Sequence, residues 1–349
     1  MRILYGVCGE GMGHAQRSLV VADHLAHQGH NLRFVCARGR AFDAIAARYP
    51  DRVYEVAGLE TVMFGNRVDP ALTIAYNAVK QWALSPWCHL SLAARIAPPP
   101  DVVISDFEPF TARYASALSL PLLAVDNIAF LTRCELPPRM APGALMRLAV
   151  DHMVPGADHY FVTTIAWAPI SKVRTTLHAP IVRSEVLAER RNVRDGDHLT
   201  CYFNDKADAR ERVRELSQIG VDVHLWGIDR ELSSGRVTCM GHDPLGFPRD
   251  LATSAAVVGG AGFTLLSEAI ALGKPVLAVP FAGQGEQLSN ARFVEALGIG
   301  RSGEAMTPEL VRNFLRALPR YRRELAAGTP HDDNRELLSA LDRTIGAAA

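Results

Sequence analysis

A chain of 349 residues exceeds what one hydrophobic core comfortably holds, so two domains with a cleft between them are expected. Hydrophobic residues make up 48% and charged residues 21%, a globular composition that leaves no tract obliged to stay disordered. Lys plus Arg and Asp plus Glu both number 37, so no global positive field gathers nucleic acid, and the six cysteines are scattered without zinc-ligand spacing, which excludes a Cys-based metal site.

The first residues, M-R-I-L-Y-G-V-C-G, carry an apolar run too short for a signal-peptide core, and no later run reaches transmembrane length. A cytoplasmic location is expected, with peripheral membrane contact left open. Ile3 to Val7 reads as a strand, the glycines after it as a turn, Ala15 to Gln28 as a helix and Asn31 to Cys36 as a second strand: one βαβ unit. Ala41 to Arg48 reads as a helix, Val53 to Val56 as a strand and Pro70 to Ile96 as a long helical region. After three prolines, Asp101 to Ser105 is a strand, Thr111 to Leu118 a helix and Pro121 to Val125 a further strand. Pro137, Pro138 and Pro142 interrupt the next stretch before a short apolar helix, A-L-M-R-L-A-V.

A second series begins near His198, with L-T-C-Y-F as a strand, Ala207 to Ile219 as a helix and Val221 to Trp226 as a strand. Ala255 to Val258 then runs into a glycine cluster and a helix to about Leu272, and Pro275 to Val279 is another strand. Two doubly wound halves follow from this alternation, joined between about 165 and 190.

Ligands of such sheets sit beyond the carboxyl ends of strands, where glycines admit phosphate and helix N-termini offer unpaired N–H groups. Two loops have this form, G-E-G-M-G-H at 9–14 and G-G-A-G-F-T at 259–264. The first lacks the spacing of the dinucleotide fingerprint, and no acidic residue ends the second strand, so NAD is disfavoured. Each loop alone is equally a tight turn; one in each half points to a shared ligand. His14 stands where the helix dipole keeps imidazole neutral and suited to act as a base. Asp106 ends a strand of the same half, placed either to orient that ring or to cap the helix that follows.

The segment G-E-G-M-G-H-x-x-R-S, with S-D-F-E-P at 105–109, resembles the N-terminal half of GT-B glycosyltransferases related to the N-acetylglucosaminyltransferase that makes lipid II. The stretch G-G-A-G-F-T-L-L-S-E-A-I-A-L-G-K-P-V-L-A-V-P-F-A-G-Q-G-E-Q-L-S-N-A is similar to the nucleotide-sugar signature of that enzyme and of plant-type UDP-sugar glycosyltransferases. The resemblance implies a GT-B α/β fold: an acceptor-binding Rossmann-like domain over 1–170, a nucleotide-sugar-binding one over 171–330, the two facing across a cleft, and a C-terminal helix over 331–349 able to pack back on the first. It implies a hexosyl transfer from a UDP-sugar to an acceptor hydroxyl, small or lipid-linked, with inversion, without metal and without any other cofactor.

In that scheme His14 is the base and Asp106 its partner. Gly11, Met12 and Gly13 form the acceptor-side phosphate loop. Gly260, Ala261, Gly262, Phe263 and Thr264 cradle the diphosphate, and Glu268 takes the ribose hydroxyls. Glu286 and Gln287 read the sugar, and the stretch from Met240 to Asp243 grips the base. Taken without the resemblance, Glu268 is equally a helix-surface acid, and Glu286 and Gln287 equally a solvated loop. Relatives often carry a second glycine-rich loop where Phe203, Asn204, Asp205 and Lys206 stand here. Met63, Phe64, Tyr76, Trp82, Trp87 and the stretch from Phe130 to Leu148 supply either an acceptor surface or core. The alternatives are a nucleotide-sugar hydrolase of the pseudaminic-acid-pathway type, whose acceptor is water, a UDP-sugar epimerase, and a non-catalytic sugar-nucleotide binding protein.

Overall fold

The computed structural model describes residues 1–64, 67–203, 209–241, 243–328 and 333–347. The chain divides into two compact units, Met1–Ile181 with Asp332–Ala349, and Val182–His331.

In the first unit the strands are β1 (Arg2–Val7), β2 (Asn31–Ala37), β3 (Val53–Val56), β4 (Met63–Phe64), β5 (Arg67–Val68), β6 (Val102–Asp106), β7 (Leu122–Asp126), β8 (His159–Thr163) and β9 (Thr175–His178). β4 and β5 pair antiparallel; the other seven form a parallel sheet in the order β3-β2-β1-β6-β7-β8-β9. β6 and β7 are buried at every residue, as strands covered by helices on both faces must be. β9 extends this sheet, which carries the first unit past residue 170 to Ile181.

Gly6 in β1 lets the helix Pro109–Leu118 approach, since a Cβ there would run into the Thr111 side chain. The helix Arg335–Ala347 presents Leu337, Leu341 and Ile345 on one face, and these join Ile3, Val21, Leu25 and Phe34 in the core of the first sheet. His24 Nε2 and Asp342 lie 2.9 Å apart along this contact.

The second unit contains β10 (His198–Tyr202), β11 (Asp222–Trp226), β12 (Val237–Gly241), β13 (Ala256–Gly259), β14 (Val276–Ala278) and β15 (Gly300–Ser302). They pair in parallel in the order β12-β11-β10-β13-β14-β15. The helix Pro308–Gly328 buries Val311, Phe314, Leu318, Tyr321 and Leu325, a single stripe at helical period. Lys274 is 1% exposed, and its ammonium donates to the Arg194 and Ser254 carbonyls at 2.7 and 2.8 Å.

Each sheet is thus an independent doubly wound, Rossmann-like layer. Strand order reverses between β1 and β6 in one and between β10 and β13 in the other, and such a switch point is where these sheets open a crevice for ligands. The five described cysteines are free and buried. No helix among the described residues is long and apolar enough to cross a membrane.

Candidate functional site

At the first switch point Val7 and Asp106 are register partners, and the Cys8 N–H donates to the Asp106 carbonyl at 3.0 Å. The chain then turns through Gly11, whose φ of 79° lies in the left-handed region that glycine tolerates, into the helix Met12–His27. Met12 and Gly13 open this helix, and His14 falls in its first turn. His14 and Asp106, 92 positions apart, meet with Nδ1 and Oδ1 at 2.9 Å.

They are not alone. Arg17 grips the same carboxylate with two hydrogen bonds, Nε to Oδ2 at 2.8 Å and Nη2 to Oδ1 at 2.6 Å, and Ser18 Oγ donates to Oδ2 at 2.9 Å. His14, Arg17 and Ser18 share one helix face because they are spaced i, i+3, i+4. Asp106 is fully buried and Arg17 is 5% exposed. Burial alone would push the Asp106 carboxyl up; the Arg17 guanidinium, then His14, outweighs it and holds the group down at about 2.

The proton on His14 has two arrangements. Arg17 Nη2 stands 2.6 Å from His14 Nδ1, and Arg17 only donates while Asp106 only accepts. A proton on Nδ1 goes to Asp106 and leaves Nε2 a bare acceptor; a bare Nδ1 accepts from Arg17 and puts the proton on Nε2. Nε2 has no partner among the described residues, so the first arrangement presents a base. An imidazolium formed there meets the Arg17 cation as well as the carboxylate, which separates this cluster from a plain His–Asp pair.

Asp106 does not cap the next helix. Glu108 does, accepting from Phe110 N at 2.9 Å and Thr111 N at 2.8 Å. Phe107 between them is held at φ 54°, a strained conformation for a bulky residue, and its ring lies against that of His14 with centroids 6.4 Å apart. Asp126 ends the neighbouring β7, is 2% exposed, and accepts from Ala129 N at 2.7 Å. Burial first, and Asp106 in addition, pushes its carboxyl up to about 6 against the pull of that N–H.

In the second unit β13 ends at Gly259, and Gly260, Ala261 and Gly262 turn into the helix Phe263–Ala271. Gly262 occupies the N-cap position and no side chain caps the helix, so the first-turn N–H groups of Phe263 and Thr264 have no side-chain acceptor. Ala261 is fully buried at φ 61°, and Asn290 Nδ2 holds its carbonyl at 3.0 Å. A Cβ on Gly260 would sit 3.2 Å from Gln287 Oε1, which itself accepts from Phe281 N at 3.0 Å. Glu286 and Gln287 lie in the first turn of the helix Gly285–Ala296, capped by Gln284, and not in a solvated loop.

Glu268 is not a surface acid: it is 2% exposed. Both its oxygens accept from Arg183, Oε1 from Nε at 2.6 Å and Oε2 from Nη2 at 3.0 Å. Burial pushes the Glu268 carboxyl up, and Arg183 opposes that. Met240 is near the end of β12 and its carbonyl accepts from Arg230 Nε at 3.1 Å, while Asp243 Oδ1 accepts from Leu245 N and Gly246 N in the turn that leads into the helix Gly246–Thr253. Phe203 is buried; Asn204, Asp205 and Lys206 lie outside the described residues.

On the acceptor side, Tyr76 is exposed and its hydroxyl reaches Glu60 at 3.2 Å, whereas Phe130 is core. Leu145 and Leu148 are exposed on the helix Ala144–Met153. The side chains of Met63, Phe64, Trp82 and Trp87 lie outside the described residues. The sequence reading gave no role to Arg17, Ser18, Asp126 or Arg183. The R-S pair one turn beyond His14 was a usable signal for the first two; Arg183, 85 positions before its partner, offered none.

Residues 1–319 match the profile of Glycosyl transferase family 1. The chain is 25% identical to an uncharacterized glycosyltransferase of Methanosarcina acetivorans across all of both chains, and 23% identical to one of Methanosarcina mazei over 88% of this chain and 87% of that one. Among solved structures it is similar to Phytolacca americana UGT2 complexed with UDP-2fluoro-glucose and pterostilbene, with a TM-score of 0.66, 12% identity and 98% of both chains covered. It is similar to Streptomyces sp. SF2575 glycosyltransferase SsfS6 complexed with thymidine diphosphate, with a TM-score of 0.64, 17% identity and coverage of 98% and 99%. A UDP-glucose: anthocyanidin 3-O-glucosyltransferase in complex with UDP gives a TM-score of 0.67 at 14% identity over 99% of both chains. Two parallel Rossmann-like layers of the GT-B type and a family match over both units make the chain a glycosyltransferase that belongs to Glycosyl transferase family 1.

Proposed function

We propose that this enzyme moves a hexosyl group from a UDP-sugar to a hydroxyl of a small or lipid-linked acceptor, with inversion at the anomeric carbon and without a metal ion. The observation that carries the reading is the turn from Gly260 to Gly262. It ends a strand at the switch point and opens a helix whose first N–H groups no side chain caps, the arrangement that receives phosphate. The UDP and thymidine diphosphate in the solved structures above support a nucleoside diphosphate as the ligand.

In this reading the acceptor hydroxyl gives its proton to His14 Nε2 as its oxygen attacks the anomeric carbon. The bond from that carbon to the β-phosphate oxygen breaks, and the diphosphate leaves with the electron pair. Its growing charge is met by the N–H groups of Phe263 and Thr264 and by the Thr264 hydroxyl. Asp106, fixed by Arg17 and Ser18, holds the ring in the tautomer with Nδ1 protonated. Glu268 keeps one lone pair on each oxygen beyond those engaged by Arg183, enough to accept from a vicinal diol. Gln287 Nε2 and Glu286 are the groups offered to the sugar, and backbone groups near Met240 to the base.

The test separates base from binder. His14→Ala is expected to lower the single-turnover rate by about 100-fold to 10,000-fold while UDP affinity by isothermal titration stays within a few-fold. An equal fall in affinity would make His14 a donor ligand and remove the base from the scheme. Sugar released into water at the full rate without any acceptor would turn the reading into that of a hydrolase.

A further inference from the structure

The second unit holds a cluster that the transfer chemistry does not use. His198 opens β10, His224 is central in β11, and Asp250 lies in the helix Gly246–Thr253. One donor atom from each lies within 4.8 Å of the other two, and among the described residues this is the one such group of three. The two imidazoles stack with centroids 4.0 Å apart, both turned toward Asp250 Oδ1.

The carboxylate is fixed from behind. Asp250 Oδ2 accepts from Thr200 Oγ1 and from Trp226 Nε1, each at 2.7 Å, which leaves Oδ1 for the histidines. His224 Nδ1 bonds to Oδ1. His198 Nε2 stands 3.0 Å from the same oxygen, yet it is buried without a hydrogen-bond partner. A buried ring nitrogen left unbonded is costly, and two stacked imidazoles competing for one oxygen do not satisfy both.

We propose that His198, His224 and Asp250 form a binding site for a divalent transition-metal ion of the Zn2+, Co2+ or Ni2+ class. Two imidazole nitrogens and one carboxylate oxygen suit these ions, whereas Mg2+ and Ca2+ prefer oxygen alone. A tetrahedral zinc with bonds of about 2.0–2.1 Å spaces its ligands about 3.3 Å apart, so His198 Nε2, 3.0 Å from Oδ1, need shift only tenths of an ångström, whereas His224 Nδ1, now hydrogen-bonded to that oxygen, has to draw back further. Thr200 and Trp226 then act as the outer hydrogen bonds that orient a ligating carboxylate. His224, with 31% of its side chain exposed, provides the entry.

The site stands apart from the donor loop. Tyr202, the last residue of β10, pairs with Gly259, and His198 lies four residues back, about 13 Å along the strand. The ion therefore ties the helix Gly246–Thr253 to two strands of the sheet and acts on the stability of this unit.

Chelator-stripped, desalted enzyme is titrated with Zn2+, Co2+ and Mg2+, followed by melting temperature and, for Co2+, by visible ligand-field absorption. Zn2+ at 100 times its dissociation constant is expected to raise the transition by about 5–10 °C, with Mg2+ giving no shift. His224→Gln and His198→Gln are each expected to weaken Zn2+ binding at least about tenfold and to abolish the Co2+ bands, while His24→Gln, outside the cluster, keeps both. His224→Gln, at the exposed edge, decides alone should His198→Gln fail to fold. No Zn2+ shift in the wild type, an equal shift with Mg2+, or wild-type affinity in His224→Gln overturns the proposal.

Discussion

Asp126 offers a test of the electrostatics around His14 that needs no substrate. Its carboxyl is buried beside Asp106, and ionising it in the fold is resisted: the group stands at about 6, against 3.8 when exposed. Because the folded state holds this proton more tightly than the unfolded chain, the group's contribution to stability is fully present below about pH 4. It is lost as the pH rises through about 6. The gap between 3.8 and about 6, at about 1.4 kcal/mol per pH unit, sets the loss at about 3 kcal/mol. Asp126→Asn keeps an oxygen for the Ala129 N–H and carries no charge, so whatever the amide costs in packing is the same at every pH.

Urea denaturation of wild type and variant at about pH 4.5 and 7.5, read on the unfolding of the first unit, isolates the term. The variant should gain about 2 kcal/mol on the wild type between the two conditions, since groups common to both proteins cancel. Asp106, held at about 2, titrates below this window. A stability difference that stays constant with pH, or moves the other way, refutes the placement of an ionisable carboxyl in that buried position.

Glu268→Gln should weaken UDP binding by about 10-fold to 100-fold, the loss of a hydrogen bond to a charged acceptor, while leaving the affinity for 2′,3′-dideoxy-UDP unchanged; calorimetric titration with both nucleotides checks it, and an equal loss for both would remove the ribose role. EDTA should leave the transfer rate intact, because the D-x-D run of the sequence, Asp195 to Asp197, precedes the amino end of β10 and not the carboxyl ends of strands where the diphosphate is placed, and inactivation restored by Mg2+ or Mn2+ would overturn this. Gly6→Ala should cost about 1–3 kcal/mol in chemical denaturation, as its methyl would meet Thr111 and come within 2.8 Å of Glu108 Oε2; an unchanged midpoint would show that the helix Pro109–Leu118 yields freely.

The two sheets were legible because their central strands are apolar runs that stop at glycine or aspartate. Edge strand β3 was read at Val53 to Val56, whereas the edge strands β9, β12 and β15, and β8 inside the first sheet, were not. β15 is three residues, Gly300 to Ser302, and β9 is Thr175 to His178; neither has an apolar run or an alternation that separates it from a loop. The meeting of His14 and Asp106 was legible because strand-end positions of one sheet converge whatever their separation along the chain. Their partners were harder to see. Arg17 reads as an ordinary surface arginine until β6 brings Asp106 against it, and the choice between Asp106 and Glu108 as helix cap turns on a two-residue offset that propensity does not resolve. Arg183 precedes any regular element of its sheet, so no periodicity pointed it at Glu268.

The return of the helix Arg335–Ala347 to the first sheet sets the order of synthesis against the order of completion. On the ribosome the strands from β1 to β9 emerge first, yet Leu337, Leu341 and Ile345, which join Val21 and Leu25 in the same core, are made only after the whole of the second unit. The second unit, contiguous from Val182 to His331, has all its parts before the first does. Domains usually finish in the order they are made; here the earliest-made sheet waits with an open apolar flank while its successor folds. A chain cut before Arg335 therefore has all of the second unit and lacks part of the core of the first.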